Sequence, residues 1–535
     1  MKKYLIILIL LIGFILRVWN INNNPPALYG DELTIVYDAY SILKIGHDQT
    51  GEFLPLTFSM GAGRPAVYVY ASIPFVALFG PTAIGVRALS ILSGLGIIFL
   101  LYLLGKKLFN EKIGLAVAII AAFSPWDISL SRGGFEAHFG LLLSLLGIYF
   151  FTKAKERSVL YIFSAICFGL TWHTYPTYKV SLILFLPLLV WFIGKDIVAS
   201  GRRNFFIGLA IVIIFGGLAL TQTFTGGSET RFSGINILSQ SNLKSAIEQK
   251  INFERQITNL PAFIVPYFYN KPVEYGKIFI ENFLQNFSSD FLFIHGDRNP
   301  RHNMATIGEL YLVDAIFILI GLLAFGQKAK KTILFLLFWI FLAPMPTAMV
   351  DLPHALRSSF MLPPLLLLSA LGLTEVLNYK NKILMIFLLI IFTLQLLFFT
   401  QKLYSLAPNE YSNFWSSPAK LSSLYALENK NKYNYVILSD QIDNLEFAYP
   451  VYAKIDPNFV IDQNKNKTNL GKYQFKKFDN IYQGYIPDGE IENFMNSLDG
   501  SVLFIGSENQ AKTLHNFETV KQQDKTTAFI VSKKK

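Results

Sequence analysis

Between residues 4 and 400, apolar runs follow one another at short intervals. Many are long enough, or nearly so, to cross about 30 Å of hydrocarbon. Runs of this length and apolarity dictate a polytopic α-helical membrane protein. Composition agrees: 52% of residues are hydrophobic and 16% charged, against about 25% charged in soluble domains. The net charge of +11 would suggest nucleic acid in a soluble protein. Here Lys and Arg gather in short loops between runs, so topology and anionic membrane lipid account for it, and no nucleic-acid partner is expected. The single cysteine, Cys167, excludes an internal disulfide and a thiolate metal site.

The opening Met1-Lys2-Lys3 followed by an apolar run resembles a signal peptide. The bulky Leu16-Arg17-Val18-Trp19 offers no cleavage site, so 4–19 reads as an uncleaved first span starting inside. Residues 20–80 read as a first outer loop, with an amphipathic helix at 33–44 and an apolar run, 66–79, lying along or re-entering the surface. Further spans are expected near 82–104, 113–123, 138–151, 158–172, 180–193, 205–221, 307–325, 332–350, 359–377 and 383–400. That makes about eleven, and leaves no strongly basic cluster outside. Between spans, 125–137 reads as an exposed loop and 222–306 as a long outer loop. The tail, 401–535, turns polar and carries strand-like runs such as Tyr435-Val436-Ile437-Leu438. It reads as a small α/β domain, outside by parity, after a membrane domain over 1–400.

The unusual polar residues concentrate in the loops assigned to the outer face. The first loop holds Gly30-Asp31-Glu32, then Asp38, His47, Asp48 and Arg64. The next holds Asp127, Arg132, Glu136 and His138, and a tight turn holds His173, Tyr175, Tyr178 and Lys179. The long loop ends in Gly296-Asp297-Arg298-Asn299-Pro300-Arg301-His302, and a later loop has Asp351, His354 and Arg357. Acids at the edge of a low-dielectric slab are costly unless they face water, a partner or a substrate. Early loops supply carboxylates and later loops Arg, His and Lys, a set suited to a phosphorylated lipid and a nucleophile awaiting activation. Each has a plainer reading. Asp31 and Glu32 suit a helix N-terminus. Arg132 and Glu136 could form an i,i+4 pair, and His173 beside Trp172 could be an interfacial anchor. His354 and Arg357 could snorkel, and Arg298 and Arg301 could be solvated loop charge.

The run Pro26-Ala27-Leu28-Tyr29-Gly30-Asp31-Glu32 resembles the bacterial glycosyltransferase family 39 and its aminoarabinose-transferase relatives, GT-C fold relatives of the dolichyl-phosphate-mannose protein mannosyltransferases. The resemblance continues through Gly46-His47-Asp48, Gly51-Glu52-Phe53-Leu54-Pro55-Leu56, Phe79-Gly80 with Val86-Arg87, and Ser124-Pro125-Trp126 with Ser131-Arg132. It ends with Gly296-Asp297-Arg298-Asn299-Pro300-Arg301-His302 and Pro353-His354-Ala355-Leu356-Arg357, in family order over about 1–400.

The resemblance implies a transferase that uses a polyprenyl-phosphate sugar on the outer face of the plasma membrane, with a protein, lipid or cell-envelope glycan as acceptor. It implies Asp31 as general base with Glu32 beside it, and Glu136 as the second-loop acid. It maps the donor-phosphate residues onto Arg301, His302, His354 and Arg357, with Lys179 a weaker match. Asp48, Arg64, Asp127, Arg132, His173, Tyr175 and Asp297 are further candidates for touching substrate. No cofactor and no divalent metal are expected, since Arg and His can stabilise a charged leaving group. Competing readings are a lipid-linked sugar flippase, which would need ionisable groups inside spans, an oligosaccharide polymerase or ligase, and a non-catalytic scaffold.

Overall fold

The computed structural model describes residues 2–59, 63–225, 236–350, 352–379 and 382–535. The chain opens with helix α1 (Lys2–Val18), then α2 (Gly30–Ile45) and α3 (Val67–Phe79) in the first loop. The membrane region continues through α4 (Ala83–Leu108), α5 (Glu111–Phe123), α6 (Pro125–Ser131), α7 (Glu136–Lys153), α8 (Leu160–Trp172), α9 (Thr177–Ser200) and α10 (Arg202–Thr225). Among the described residues, five helices are long and apolar enough to cross a membrane by themselves: Ala83–Leu108, Arg202–Gln222, Lys330–Ala348, Ser359–Asn378 and Lys382–Glu410. The pair α5 and α6, bent by 58°, gives a sixth. Tyr4–Val18, Val67–Phe79, Leu160–Trp172, Thr177–Ile193 and Leu312–Phe325 are apolar but shorter, below the roughly 20 residues that cross unaided. The chain is a multi-pass helical membrane protein.

Local sequence explains the breaks. Thr82 and Asn110 cap α4 and α5 by accepting from backbone N–H groups of their first turns. Ser124 caps α6 by accepting from the Asp127 N–H, and Pro125 opens that helix, so α5 cannot run on. Where Leu312–Phe325 crosses Leu362–Asn378, a Cβ on Gly372 would lie 1.8 Å from the Phe317 carbonyl. Only glycine permits that approach, as at other close membrane crossings.

Two sequence-based expectations change here, and a third gains detail. Residues 125–131 form a helix whose every residue is buried, not an exposed loop. The 33–44 helix exists as α2, but it is buried along most of its length, including Glu32 and Asp38. It does not lie amphipathically at a surface because other parts of the chain cover it. The 222–306 stretch contains helices Ser241–Ile257 and Lys271–Gln285, while 226–235 lie outside the described residues.

The tail folds as an α/β domain around a seven-stranded sheet. Strand Tyr435–Ser439 lies at its centre, parallel to both Ile481–Gly484 and Val502–Gly506, and the outer strands run antiparallel. Side chains alternate across it, as a strand's period of two requires. Val436, Leu438, Leu503 and Ile505 face one core, and Ile437, Val502 and Phe504 face the other. The first of these cores also contains Leu28, Leu33, Val36 and Tyr37 from the first loop. The tail is thus packed onto α2. Polar ties reinforce the join: Leu28 N–H donates to the Tyr452 hydroxyl, Tyr37 Oη to the Ile455 carbonyl, and Lys420 Nζ to the Pro26 carbonyl.

Candidate active site

The start of α2 places Asp31 and Glu32 in one helical turn, where successive side chains point about 100° apart. The two carboxylates consequently meet different surroundings. Glu32 is fully buried, with Arg87 Nε 2.7 Å from Oε1 and Arg87 Nη2 2.8 Å from Oε2. The Gly134 N–H also donates to Oε1 at 2.8 Å. Arg87 spends its remaining donors on the carbonyls of Ile21, Pro25 and Ala27, so this pair staples the first loop to α4. Asp31 is 41% exposed, and Oδ1 accepts from Arg64 Nη2 at 2.6 Å. Its Oδ2 takes no hydrogen bond among the described residues.

Arg64 is itself buried, and it bridges two acids. Its Nε lies 2.8 Å from Glu136 Oε1, and Nη1 donates to Thr34 Oγ1 at 2.7 Å. Burial works against its charge, but Asp31, Glu136 and Asp38 outweigh that and raise its pKa. Asp31 and Glu136, from two separate loops, therefore flank one guanidinium.

The second half of the site comes from the loop after Asp290 and the loop at 352–358. Asp297 is buried. His302 Nδ1 lies 3.0 Å and His354 Nδ1 3.7 Å from its Oδ2, and the Ala355 N–H donates to the same oxygen at 2.8 Å. Burial would raise the Asp297 carboxyl, but the His302 hydrogen bond and the two neighbouring imidazoles bring it down to about 2. Burial, and then His302, hold His354 well below the ordinary imidazole value. Arg357 acts on His354 electrostatically in the same direction and makes no hydrogen bond or ion pair among the described residues. A cavity of about 440 Å³ opens here, lined by Asp297, Arg298 and His354 among others.

Aromatic rings join the two halves. Arg301 lies 5.3 Å above the Tyr29 ring, Tyr29 packs 6.0 Å from Phe135, and Phe135 packs 5.7 Å from His302. Trp415, from the start of the tail, meets both Tyr29 and Phe135 and lies 5.4 Å from the Arg87 guanidinium. Tyr29 thus touches the basic half directly, and burial, with the fields of Asp31, Glu136 and Glu32 added, raises its pKa.

Other anticipated residues lie elsewhere or turn inward. Asp48 is buried and closes its own turn, accepting from Thr50 and from the Glu52 N–H. Asp127 is buried between Arg17 at 2.5 Å and His138 at 2.9 Å, with both oxygens engaged. Arg132 does not pair with Glu136. It is buried and donates to the carbonyls of Leu16, Arg17, Trp19 and Asn24, anchoring the end of α1. His173 bonds Gln222 and the Phe215 carbonyl, Lys179 donates to the Ala219 carbonyl, and Tyr175 packs on Tyr178. Asp351 lies outside the described residues. Sequence reasoning gave no role to Arg17, Arg87 or Trp415. For Trp415 no signal existed, since it lies over a hundred residues from its partners in a generic tail.

Residues 63–219 match the profile of the dolichyl-phosphate-mannose-protein mannosyltransferase family. No curated protein matches the chain by sequence. Among solved structures, an Archaeoglobus fulgidus oligosaccharyltransferase tethered to an acceptor peptide superposes with a TM-score of 0.50 at 13% identity, covering 99% of this chain and 74% of that one. The archaeal oligosaccharyltransferase AglB from the same organism, in complex with an inhibitory peptide and a dolichol-phosphate, gives 0.48 at 12% identity. That match covers 84% of this chain, which spans 63% of the AglB length. ArnT from Cupriavidus metallidurans gives 0.44 at 11% identity over 99% of this chain and 97% of that one. The chain shares the fold of the Archaeoglobus fulgidus oligosaccharyltransferase and carries, over residues 63–219, a segment similar to the dolichyl-phosphate-mannose-protein mannosyltransferases.

Proposed function

We propose that this protein transfers a sugar from a polyprenyl-phosphate donor to an acceptor at the outer face of the membrane. The match of residues 63–219 to the dolichyl-phosphate-mannose-protein mannosyltransferase family supports the donor class, and that segment contains Arg64, Arg87 and Glu136 of the acidic half. The observation that carries the reading is the contrast at the start of α2: Asp31, unlike Glu32, keeps one carboxylate oxygen free and reaches solvent.

Arg64, fixed by Glu136 and Thr34, holds Asp31 by Oδ1 and leaves Oδ2 to take a proton from an acceptor hydroxyl or amine. The acceptor oxygen or nitrogen then bonds to the anomeric carbon while the bond to the phosphate oxygen breaks. A single displacement inverts the anomeric centre. The departing polyprenyl phosphate carries its own negative charge, which Arg357 and Arg301 meet, with His302 and His354 alongside. In this arrangement about eleven spans place the site and the tail outside, and the tail beside α2 borders the acceptor's approach. The identity of the sugar follows from the experiment.

The test is transfer of label from a panel of radiolabelled polyprenyl-phosphate sugars in membranes containing wild type or Asp31→Asn. Transfer by the wild type that disappears in the variant supports the reading and identifies the sugar. Movement of intact lipid-linked sugar across the bilayer, indifferent to Asp31→Asn, would replace it with a flippase.

A further inference from the structure

Donor binding leaves one feature of the Asp297 cluster unexplained. Asp297, His302 and His354 each offer one ligand atom, and these atoms all lie within 4.8 Å of one another. Zinc with bonds of about 2.0–2.1 Å in a tetrahedron sets its ligand atoms about 3.3–3.4 Å apart. The separations of 3.0 Å and 3.7 Å from Asp297 Oδ2 to the two Nδ1 atoms fall on either side of that spacing. His354 Nδ1 is buried and has no hydrogen-bond partner, and a buried polar atom in that condition calls for an explanation. The carboxylate is already oriented: the Asn299 N–H holds Oδ1 and the Ala355 N–H holds Oδ2. Asn303 ties the surrounding loop through the His295 and Ile307 carbonyls. Outer hydrogen bonds of this kind accompany metal ligands and fix their direction.

We propose that Asp297, His302 and His354 bind a divalent transition metal of the zinc type, with an open coordination position facing the 440 Å³ cavity. Two imidazoles and one carboxylate form a donor set that zinc uses where it keeps a position open. One carboxylate and two neutral imidazoles leave a net positive charge on a divalent ion. The open position would therefore take an anionic oxygen, such as one from a phosphate. The sequence pointed to no metal because the ligands come from two loops more than fifty residues apart, with no local ligand spacing to read. The proposal does not depend on sugar transfer.

The test uses full-length protein in detergent, purified without a histidine tag, stripped with chelator and titrated with Zn(II), then separately with Co(II). About one zinc per chain should survive desalting, and cobalt should give the intense visible absorption of a tetrahedral site. His354→Gln removes a ligand but breaks no hydrogen bond, and it should weaken zinc binding at least about 100-fold. His302→Gln should do the same. Absence of stoichiometric metal in the wild type, or unchanged affinity in both variants, overturns the proposal. If a variant fails to fold, the wild-type cobalt spectrum decides: an octahedral signature overturns it. Zinc bound without transfer activity, or transfer without zinc, separates this proposal from the enzymatic one.

Discussion

Two charged clusters in this protein look alike in sequence and differ in the fold. Around Asp31, a guanidinium joins two acids, one acid is 41% exposed, and one of its oxygens is free. Around Asp127, a guanidinium and an imidazole close on one carboxylate, and all three side chains are fully buried. Arg17 also donates to Ser131 and to the carbonyls of Ala121 and Ala122, where α5 breaks into α6. The first cluster leaves a carboxylate oxygen facing solvent. The second supplies the orphaned carbonyls of a helix end with donors and locks a bend. Both read from sequence as acid near arginine in an outer loop. Burial separates their roles, because a buried charge must be fully paired while a working base needs an unfilled oxygen.

The comparison can be broken most directly at Asp31. Asp31→Asn should lower transfer by about 10²–10⁴-fold, the usual contribution of a general base, with an unchanged unfolding midpoint, since an ion pair this exposed contributes little. Wild-type rates in the variant would end the assignment. On the closed side, Arg17→Met leaves Asp127 buried without its cation and should cost about 3–5 kcal/mol, read as a fall in thermal midpoint or in folded yield. Arg87→Met should behave likewise through Glu32. If Arg87→Met were instead stable but inactive, Glu32 would belong with Asp31 rather than with Asp127.

Arg357→Ala should raise the donor KM by about 10–100-fold, the worth of a hydrogen bond to a charged group, while leaving stability alone. A smaller effect concerns pH. Asp38 is buried, and burial, opposed by two hydrogen bonds from Gln49, raises its carboxyl from 3.8 to about 7. The folded state therefore holds a proton that the unfolded chain releases. This favours folding fully below pH 3.8 and is lost as pH rises through about 7. Asp38→Asn should flatten the pH dependence of the unfolding midpoint across that window. An unchanged profile would show that Asp38 is ionised throughout.

Much of the architecture was legible because apolar length and loop charge are local properties. The membrane region, the α/β tail and the helix expected at 33–44 all follow from them. The ordered motifs brought Asp31, Glu136, Arg301, His302, His354 and Arg357 to attention together. Burial was not legible. Asp48 and Arg132 resemble site residues in a linear reading, and only packing shows their donors or acceptors spent on the backbone. Tyr29 stood in the motif, but its position between Arg301 and Phe135 required loops from three parts of the chain.

By itself the sequence determined that the chain enters a membrane as helices, because lipid offers unpaired backbone groups no partner. It also determined which loops carry charge. The tertiary structure alone decided which of two adjacent carboxylates is free. One turn of α2 sends Glu32 into the Arg87 guanidinium and Asp31 toward solvent. The desolvation that makes an unpaired buried charge untenable leaves each side chain only one of the two roles.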